Sequence, residues 1–282
     1  MILIFGQTGQ VARELAQLSP QARCLGRDQA DLSDPAACAA AIRSHAPQAV
    51  INAAAYTAVD RAEEEEALAT TINGHAPAAM AQVCAQLQIP LVHISTDYVF
   101  DGAGDQPFAP DHPTAPLGAY GRSKLLGEEG VRGAGGVHAI LRTSWVFSAH
   151  GANFVKTMLR LGSERDSLRV VADQIGGPTS ARAIARACLT MAEGLRNQPT
   201  LAGTYHFAGG PATSWAGFAR AIMASAGLDC TIEDIPSAAY PTPAQRPLNS
   251  RLDCSTLARF GLAQSGWQAD LTEVISEVKG KP

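Results

Sequence analysis

Apolar runs alternate with amphipathic ones through the first half of the chain. Residues 2–5 (Ile-Leu-Ile-Phe) form a short apolar run closed by Gly6, which predicts a strand. Residues 9–18 carry Val11, Leu15 and Leu18 at spacings of four and three, the stripe of an amphipathic helix. A second apolar stretch precedes Gly26. Asp34-Pro35 has the form of an N-cap with proline at the first helical position, opening an Ala-rich helix to His45. Residues 49–55 predict a third strand running into a loop. Asp60 and Glu63 have capping-box spacing ahead of a long helical region that Pro90 ends. Leu91 to Ser95 predict a fourth strand. Residues 101–118, rich in Gly, Pro and Asp, predict a long loop; helical pattern resumes near Ala119, and His138 to Leu141 predict another strand. Strands that are apolar throughout, rather than alternating, belong to a parallel sheet covered on both faces. The fold class is therefore α/β, a Rossmann-type doubly wound parallel sheet.

Beyond about residue 145 the rhythm changes. Helices are predicted near 152–162, 180–195 and 214–226, with longer connections. The stretch 236–250 carries Pro236, Pro241, Pro243 and Pro247 and must be mostly irregular. Residues 1–150 thus read as the sheet domain, taking back part of 175–200. Residues 151–282 read mainly as a smaller C-terminal substrate-binding lobe that closes over it.

Composition narrows the function classes. Lys plus Arg is 22 and Asp plus Glu is 26, a formal net charge of −4, which gives no general electrostatic reason to bind nucleic acid or an anionic membrane. No apolar run approaches the length of a membrane span, and the opening Met-Ile-Leu-Ile-Phe-Gly lacks a basic n-region, so it reads as a strand and not a signal peptide. The six cysteines are scattered without a C-x-x-C pair and the seven histidines form no H-x-x-x-H. No disulfide framework or zinc site is expected; the cysteines read as small buried hydrophobes of a reduced, cytoplasmic enzyme.

Three features carry chemistry. Gly6-Gln7-Thr8-Gly9-Gln10-Val11-Ala12 lies between the first strand and first helix in the form G-x-x-G-x-x-A. Glycines there let the backbone turn and approach a pyrophosphate, whose charge rests on the helix N-terminus. Tyr120 and Lys124 are spaced i, i+4 and share a helix face. A lysine one turn from a tyrosine lowers the phenol's pKa and makes it a usable proton donor or acceptor. With five tyrosines and four lysines, random placement gives roughly 0.07 such pairs. Ser95-Thr96-Asp97 follows an apolar strand, at the carboxyl end where parallel sheets bind ligands.

Glycine loop, hydroxyl and Tyr/Lys pair, in this order, resemble the short-chain dehydrogenase/reductase superfamily in its extended, nucleotide-sugar-modifying branch. Within it the chain is most similar to the dTDP-4-dehydrorhamnose reductase family. The matching stretches are Phe5 to Val11, Asn52 to Asp60, Ser95 to Phe100, Tyr120 to Lys124, Arg142 to Phe147, Asn153 to Leu159, Asp173 to Thr179 and Tyr240 to Leu252. The resemblance implies hydride transfer from NADPH or NADH to C4 of a 4-keto nucleotide sugar. It implies that Tyr120 protonates the developing alkoxide, that Lys124 tunes Tyr120 and holds the nicotinamide ribose, and that Thr96 bonds the C4 oxygen. Asp97 and Trp145 would shape the sugar pocket. Gly6, Gly9, Gln10 and Val11 would meet the pyrophosphate, Asp31 and Leu32 the adenine, and Ala55, Tyr56 and Thr57 would line the cofactor cleft. Arg246, in the proline-rich 240–252 segment, would be a phosphate partner of the substrate. Arg27, just past the second strand, would favour NADPH by pairing with its 2′-phosphate, although Asp28 follows it.

The chain departs from the family pattern in places. Ala12 stands where a third glycine is common, a tolerated variant. Some members hold a magnesium ion between subunits; Glu14 and Glu273 match two such positions, but Arg182 falls where another carboxylate is expected. An arginine opposes a cation, so no bridging metal is expected, and the chain reads as a monomer or weak homodimer. The acidic run Glu63 to Glu66 reads as a solvated first helical turn. Trp215 and Trp267 read as core or lobe contacts, and His93 and His206 as buried, hydrogen-bonded side chains.

Other functions stay open. A 4,6-dehydratase of the superfamily usually has an acid directly after Thr-Asp, where this chain has Tyr98. An epimerase is harder to exclude, though the Arg142 to Phe147 stretch favours a reductase. A non-catalytic regulatory subunit like that of methionine adenosyltransferase shares the patterning, but would have no need of Thr96, Tyr120 and Lys124 together.

Overall fold

The computed structural model describes residues 1–280. Along the first half of the chain run β1 (Ile2–Phe5), α1 (Gln10–Leu18), β2 (Arg23–Leu25), α2 (Pro35–His45), β3 (Ala49–Asn52), α3 (Glu66–Thr70), α4 (Ala76–Gln86), β4 (Leu91–Thr96), α5 (Ala119–Gly133) and β5 (His138–Thr143). These strands pair in parallel, in the order β5-β4-β3-β1-β2, and the strand Gly203–His206 adds beside β5. The chain leaves β1 toward β2 and then returns past β1 to β3. This reversal opens a crevice at the strand ends, the place where such sheets bind ligands.

Alternation explains the two layers. Ile4, Leu15, Ile51, Val92 and Leu141 pack on one side of the sheet, and Leu3, Phe5, Val50, Leu91 and Ile140 on the other. All are at most 1% exposed, and burying each such side chain contributes about 1.5–3 kcal/mol. Asp34 caps α2 as expected, its carboxylate accepting from the amides of Ala36 and Ala37 at 3.0 Å.

Two local expectations change. The third strand ends at Asn52 rather than at 55, because the amide of Ala54 turns back to the Asn52 side chain at 3.2 Å. The long helical region is broken into a short turn at Arg61–Glu63, α3, a π-helical segment at Thr71–His75 and α4. Asp60 makes no cap. Its carboxylate instead takes the amide of Ala244 and the guanidinium of Arg246. The π segment carries Asn73, whose side chain bonds both the amide and the carbonyl of Tyr56.

The second half contributes α6 (Phe154–Glu164), α7 (Ala181–Asn197), α8 (Trp215–Ala226) and α9 (Trp267–Val278). Helices α6, α8 and α9 enclose a separate core around Phe147, Val155, Phe218, Ile222, Trp267 and Leu271, beside the parallel pair Ser167–Val171 and Thr231–Ile235. Helix α7 behaves differently: Ile184, Ala185, Cys188 and Met191 pack into the sheet's own core together with Leu15 and Tyr205. The stretch 151–282 is therefore shared between the two cores, and its last residues, Lys281 and Pro282, lie outside the described residues. Within 236–250 only Asn249–Ser250 is extended, pairing with Ile175–Gly176. Among the described residues no helix is long and apolar enough to cross a membrane. The six cysteines are free, four of them buried and Cys24 and Cys254 partly so.

Candidate active site

A cleft of about 1220 Å³ runs along the carboxyl ends of the sheet strands. At its start Gly6 has φ +114°, and a Cβ there would lie 3.2 Å from that of Ala12 and 3.3 Å from the backbone of Ala53. Only glycine suits that conformation and that gap. At Gly9 nothing lies within 4 Å of where a Cβ would be, so the space above the loop is open. Helix α1 begins there with no side-chain cap, leaving first-turn amides to an anion. Gly9, Gln10 and Val11 line this end; the Gln10 side chain is spent on Ser148 and Asn153, so only its backbone faces a phosphate group.

Arg27, Asp31 and Leu32 line the next part of the cleft. The Arg27 side chain is 80% exposed, with its Nε 3.9 Å from Asp31. Asp28 is exposed but leans over the end of β2: its Oδ1 would be 2.6 Å from a Cβ on Gly26. Ala55, Tyr56 and Thr57 form the middle wall. Asn73 holds the Tyr56 backbone in place and also donates to Ser123 Oγ at 3.0 Å, which in turn donates to the carbonyl of Tyr120. One buried asparagine thus ties the cofactor wall to the helix that carries Tyr120. An asparagine inside a helical stretch, where it is an unfavourable residue, was the only sequence signal for it.

Thr96, Asp97, Tyr120, Lys124 and Trp145 meet at the far end of the cleft. The sheet register places Thr96 beside Thr143, so both hydroxyls reach the same strand end. Thr96 Oγ1 accepts from the amide of Tyr98 at 3.2 Å and donates to Asp97 Oδ1 at 3.0 Å. Asp97 is 3% exposed. Burial raises its carboxyl to about 6, although hydrogen bonding to Ser250 and Thr96 pulls the other way. Asp97 Oδ2 and Thr143 Oγ1 have no partner among the described residues. Both atoms are themselves shut off from solvent beneath the cleft wall.

Tyr120 packs edge-on against Tyr98, with ring centroids 5.4 Å apart. Contrary to the expectation from the i, i+4 spacing, its phenol is raised rather than lowered. Burial is the main cause and the Asp97 carboxylate adds to it, while the Thr96 hydroxyl opposes them. The Lys124 amine donates to the carbonyl of Ile94 at 2.7 Å. Burial lowers Lys124 to about 8, against Glu128, which raises it. A phenol kept protonated suits a proton donor.

Beneath these groups, Glu128 is fully buried. It accepts from Arg142 at 2.7 and 2.9 Å, from Ser95 at 2.6 Å and from Arg132 at 3.1 Å. Arg142 also reaches the carbonyl of Pro110 and His206 Nε2, pinning the long loop to the strand ends. The pairing spans elements far apart in sequence, which is why spacing gave no sign of it.

Trp145 has φ +47°, a left-handed backbone that is strained for a bulky residue. Its ring stacks on that of Trp215 at 3.7 Å and 12°. Trp215 is thus the lobe contact expected for it, and it fixes the wall of the sugar end. Trp267 belongs to the lobe core, and His206 is buried between Arg142 and the carbonyl of Phe108.

Arg246 sits beside Tyr98, at the edge of the cleft. Its guanidinium is paired with Asp60 at 2.7 Å and approaches the Tyr98 hydroxyl at 3.5 Å, so it bridges the two halves of the chain. The acidic run is solvent-exposed, Glu63 and Glu64 most of all, as expected, but it also makes specific bonds. Glu63 accepts from the amide of Ala119 at 2.9 Å at the start of α5, Glu65 takes the Tyr56 hydroxyl at 2.6 Å and Arg61, and Glu66 pairs with Arg122 at 2.8 Å.

The residues at the magnesium position of related proteins do not fit a cation. Arg182 lies among the acids, 2.9 Å from Glu14, 2.7 Å from Glu277 and 3.8 Å from Glu273. Its guanidinium occupies the place and supplies the charge that a metal would. No cluster of three metal-ligating side chains exists among the described residues.

The family model described as RmlD substrate binding domain matches residues 1–279. The dTDP-4-dehydrorhamnose reductase of Sinorhizobium fredii is 43% identical, the alignment covering 97% of this chain and 96% of that protein. The crystal structure of a dTDP-4-dehydrorhamnose reductase from Clostridium acetobutylicum superposes with a TM-score of 0.91 at 34% identity, covering 99% of both chains. That of Bacillus anthracis, solved in complex with NADP, gives 0.91 at 33% identity and covers 98% of both. Open glycine loop, neighbouring hydroxyls, Tyr120 and Lys124 on one cleft wall and these likenesses over nearly the whole length agree: the chain belongs to the RmlD substrate binding domain family, among the dTDP-4-dehydrorhamnose reductases.

Proposed function

We propose that this chain reduces the C4 keto group of dTDP-4-dehydro-L-rhamnose with NADPH or NADH, giving dTDP-L-rhamnose. The observation that carries the reading is the meeting of Thr96, Tyr120 and Lys124 at one end of a dinucleotide-sized cleft. The open space over Gly9 and the uncapped start of α1 fit a pyrophosphate, and the 1220 Å³ cleft has room for cofactor and sugar together. When bound, NAD(P)H supplies the hydride that goes to C4. Tyr120 gives its phenolic proton to the oxygen formed there, and the Thr96 hydroxyl orients that oxygen. Asp97 and Trp145, the latter backed by Trp215, shape the sugar pocket. Lys124 holds the ribose and sustains Tyr120.

Tyr98 argues against dehydration. It stands where a dehydratase carries an acid, and its phenol is pushed up to about 12 by burial. We place the enzyme in the cytoplasm, as a monomer or weak homodimer, with the nucleotide sugar as its small-molecule partner. The test is NAD(P)H oxidation with the 4-keto nucleotide sugar and identification of the product. Turnover with a 6-deoxyhexose product supports the reading; binding without turnover sinks it and leaves a non-catalytic relative.

A further inference from the structure

Beneath Lys124 lies a side-chain chain that the reaction as described does not use. His93, on β4, is fully buried and stands in register with Asn52 on β3. Its Nδ1 is 3.1 Å from Asn52 Nδ2, and its Nε2 is 3.4 Å from Lys124 Nζ.

The direction of this chain is fixed at one end. The amide of Ala54 can only donate, so the atom of Asn52 that it meets at 3.2 Å is the carbonyl oxygen Oδ1. The Asn52 NH2 group is therefore the one turned to His93, and it too only donates. His93 Nδ1 must accept. Burial and the neighbouring Lys124 hold His93 well below its usual range, so the ring is neutral, and a neutral ring that accepts at Nδ1 carries its proton on Nε2. That N–H faces the lysine nitrogen. Toward an ammonium it is one donor set against another; toward a free amine it makes a hydrogen bond.

We propose that Asn52 and His93 form a one-way hydrogen-bond chain that presents a donor to Lys124, and that His93 is a positioning residue that lets Lys124 release a proton rather than serve only as a fixed charge. The groups facing His93 agree. Asn52 lies on the β3 side, Ile140 on the β5 side, and Lys124 and Gly127 on α5. A Cβ on Gly127 would stand 3.6 Å from His93 Nε2 and 2.1 Å from the carbonyl of Asn73, so the missing side chain lets α5 sit this close. The nearest acid on α5, Glu128, favours the ammonium, but its oxygens are already taken by Arg142, Arg132 and Ser95. His138 is the other titratable group acting on the ring, and it also keeps it neutral. A lysine balanced between ammonium and amine can give up a proton near neutral pH and take it back, and nothing is oxidised or reduced.

The proposal rests on the reading of Lys124 as part of the catalytic group, but its test does not depend on turnover. The protein is labelled with 15N-histidine and 13C-lysine and studied by NMR without cofactor. The His93 ring is expected to be protonated at Nε2 and bare at Nδ1 across neutral pH. In His93→Leu, which keeps the site apolar but removes the donor, the proton affinity of Lys124 is expected to rise about tenfold, one pKa unit. The alkaline limb of the kcat profile moves up with it. A proton found on Nδ1, or a Lys124 titration that stays in place or moves down in the variant, overturns the proposal. If His93→Leu does not fold, the tautomer in the unaltered chain still decides. An unreactive keto sugar would refute the proposed reaction without touching either measurement.

Discussion

Asp97 combines a place in the sugar pocket with a cost to the fold, and Asp97→Asn separates the two. The carboxyl titrates near 3.8 in an unfolded chain and about 6 in the folded one. The folded state therefore binds more protons between those values, and stability is lost as the pH rises through that window. A difference of two units corresponds to about 3 kcal/mol at pH 7 and above, and about 1.5 kcal/mol at pH 5. Asparagine removes this cost. It keeps an acceptor for Thr96 at Oδ1, but it places an N–H where Oδ2 has no partner among the described residues. An unsatisfied buried donor costs about 1 kcal/mol. The variant should then match the wild type near pH 5 and exceed it by about 2 kcal/mol at pH 8, a gain of roughly 4 °C in Tm for a chain of this size. Urea unfolding followed at a series of pH values measures the difference, and kcat/KM for the keto sugar should fall in the same variant. A stability difference that does not change with pH, or an asparagine variant less stable at pH 8, would show that Asp97 is not ionised at a cost in the folded chain.

Other outcomes follow from the same geometry. Tyr120→Phe keeps the ring and removes the proton: kcat should drop by about two to four orders of magnitude while NADPH binding, read by fluorescence, persists. A near wild-type rate would remove Tyr120 from the role of acid. Arg27→Ala should lower the NADPH-to-NADH ratio of kcat/KM, and by less than tenfold because the guanidinium is so exposed; Asp28→Ala should raise the ratio, since that carboxylate faces the strand end. Unchanged ratios in both would place the choice of cofactor elsewhere. Activity should survive excess EDTA, whereas Arg182→Ala, which strands the buried Glu14, should lower stability by about 2 kcal/mol by urea unfolding. Activity lost to EDTA and restored by magnesium would contradict the view that Arg182 fills the cation's place.

The candidate site was legible where its chemistry depends on local spacing. Gly6 and Gly9 open a turn, Tyr120 and Lys124 share a helix face, and Thr96 ends an apolar strand; each can be read within a few residues. The partners that tune them were not legible, because the sheet brings them together from afar. Asn73 reaches Tyr56 and Ser123, Glu128 gathers Arg142 and Ser95, and Asn52 reaches His93. The spacing of Tyr120 and Lys124 even gave the wrong sign for the phenol, since burial and Asp97 outweigh the lysine, which is turned toward Ile94. The partner of Arg246 was not legible either: Asp60, 186 residues away, holds its guanidinium beside Tyr98.

The alternation of apolar runs with amphipathic stripes determined the element types of the first half and a parallel sheet covered on both faces, because period and polarity act over a single element; the strand order came from the fold. Tertiary packing decided what period cannot encode. That part of 175–200 returns to the sheet was read from the sequence, but which face of α7 meets it was decided by the fit of Ile184, Cys188 and Met191 against Leu15 and Tyr205. The helical pattern after Asp60 reads as one run, and only the bonds from Asn73 to the Tyr56 backbone account for the wider turn at 71–75. Element type is a local free-energy balance; which face meets which, and what charge a buried side chain carries, are set by neighbours that the chain brings together only once folded.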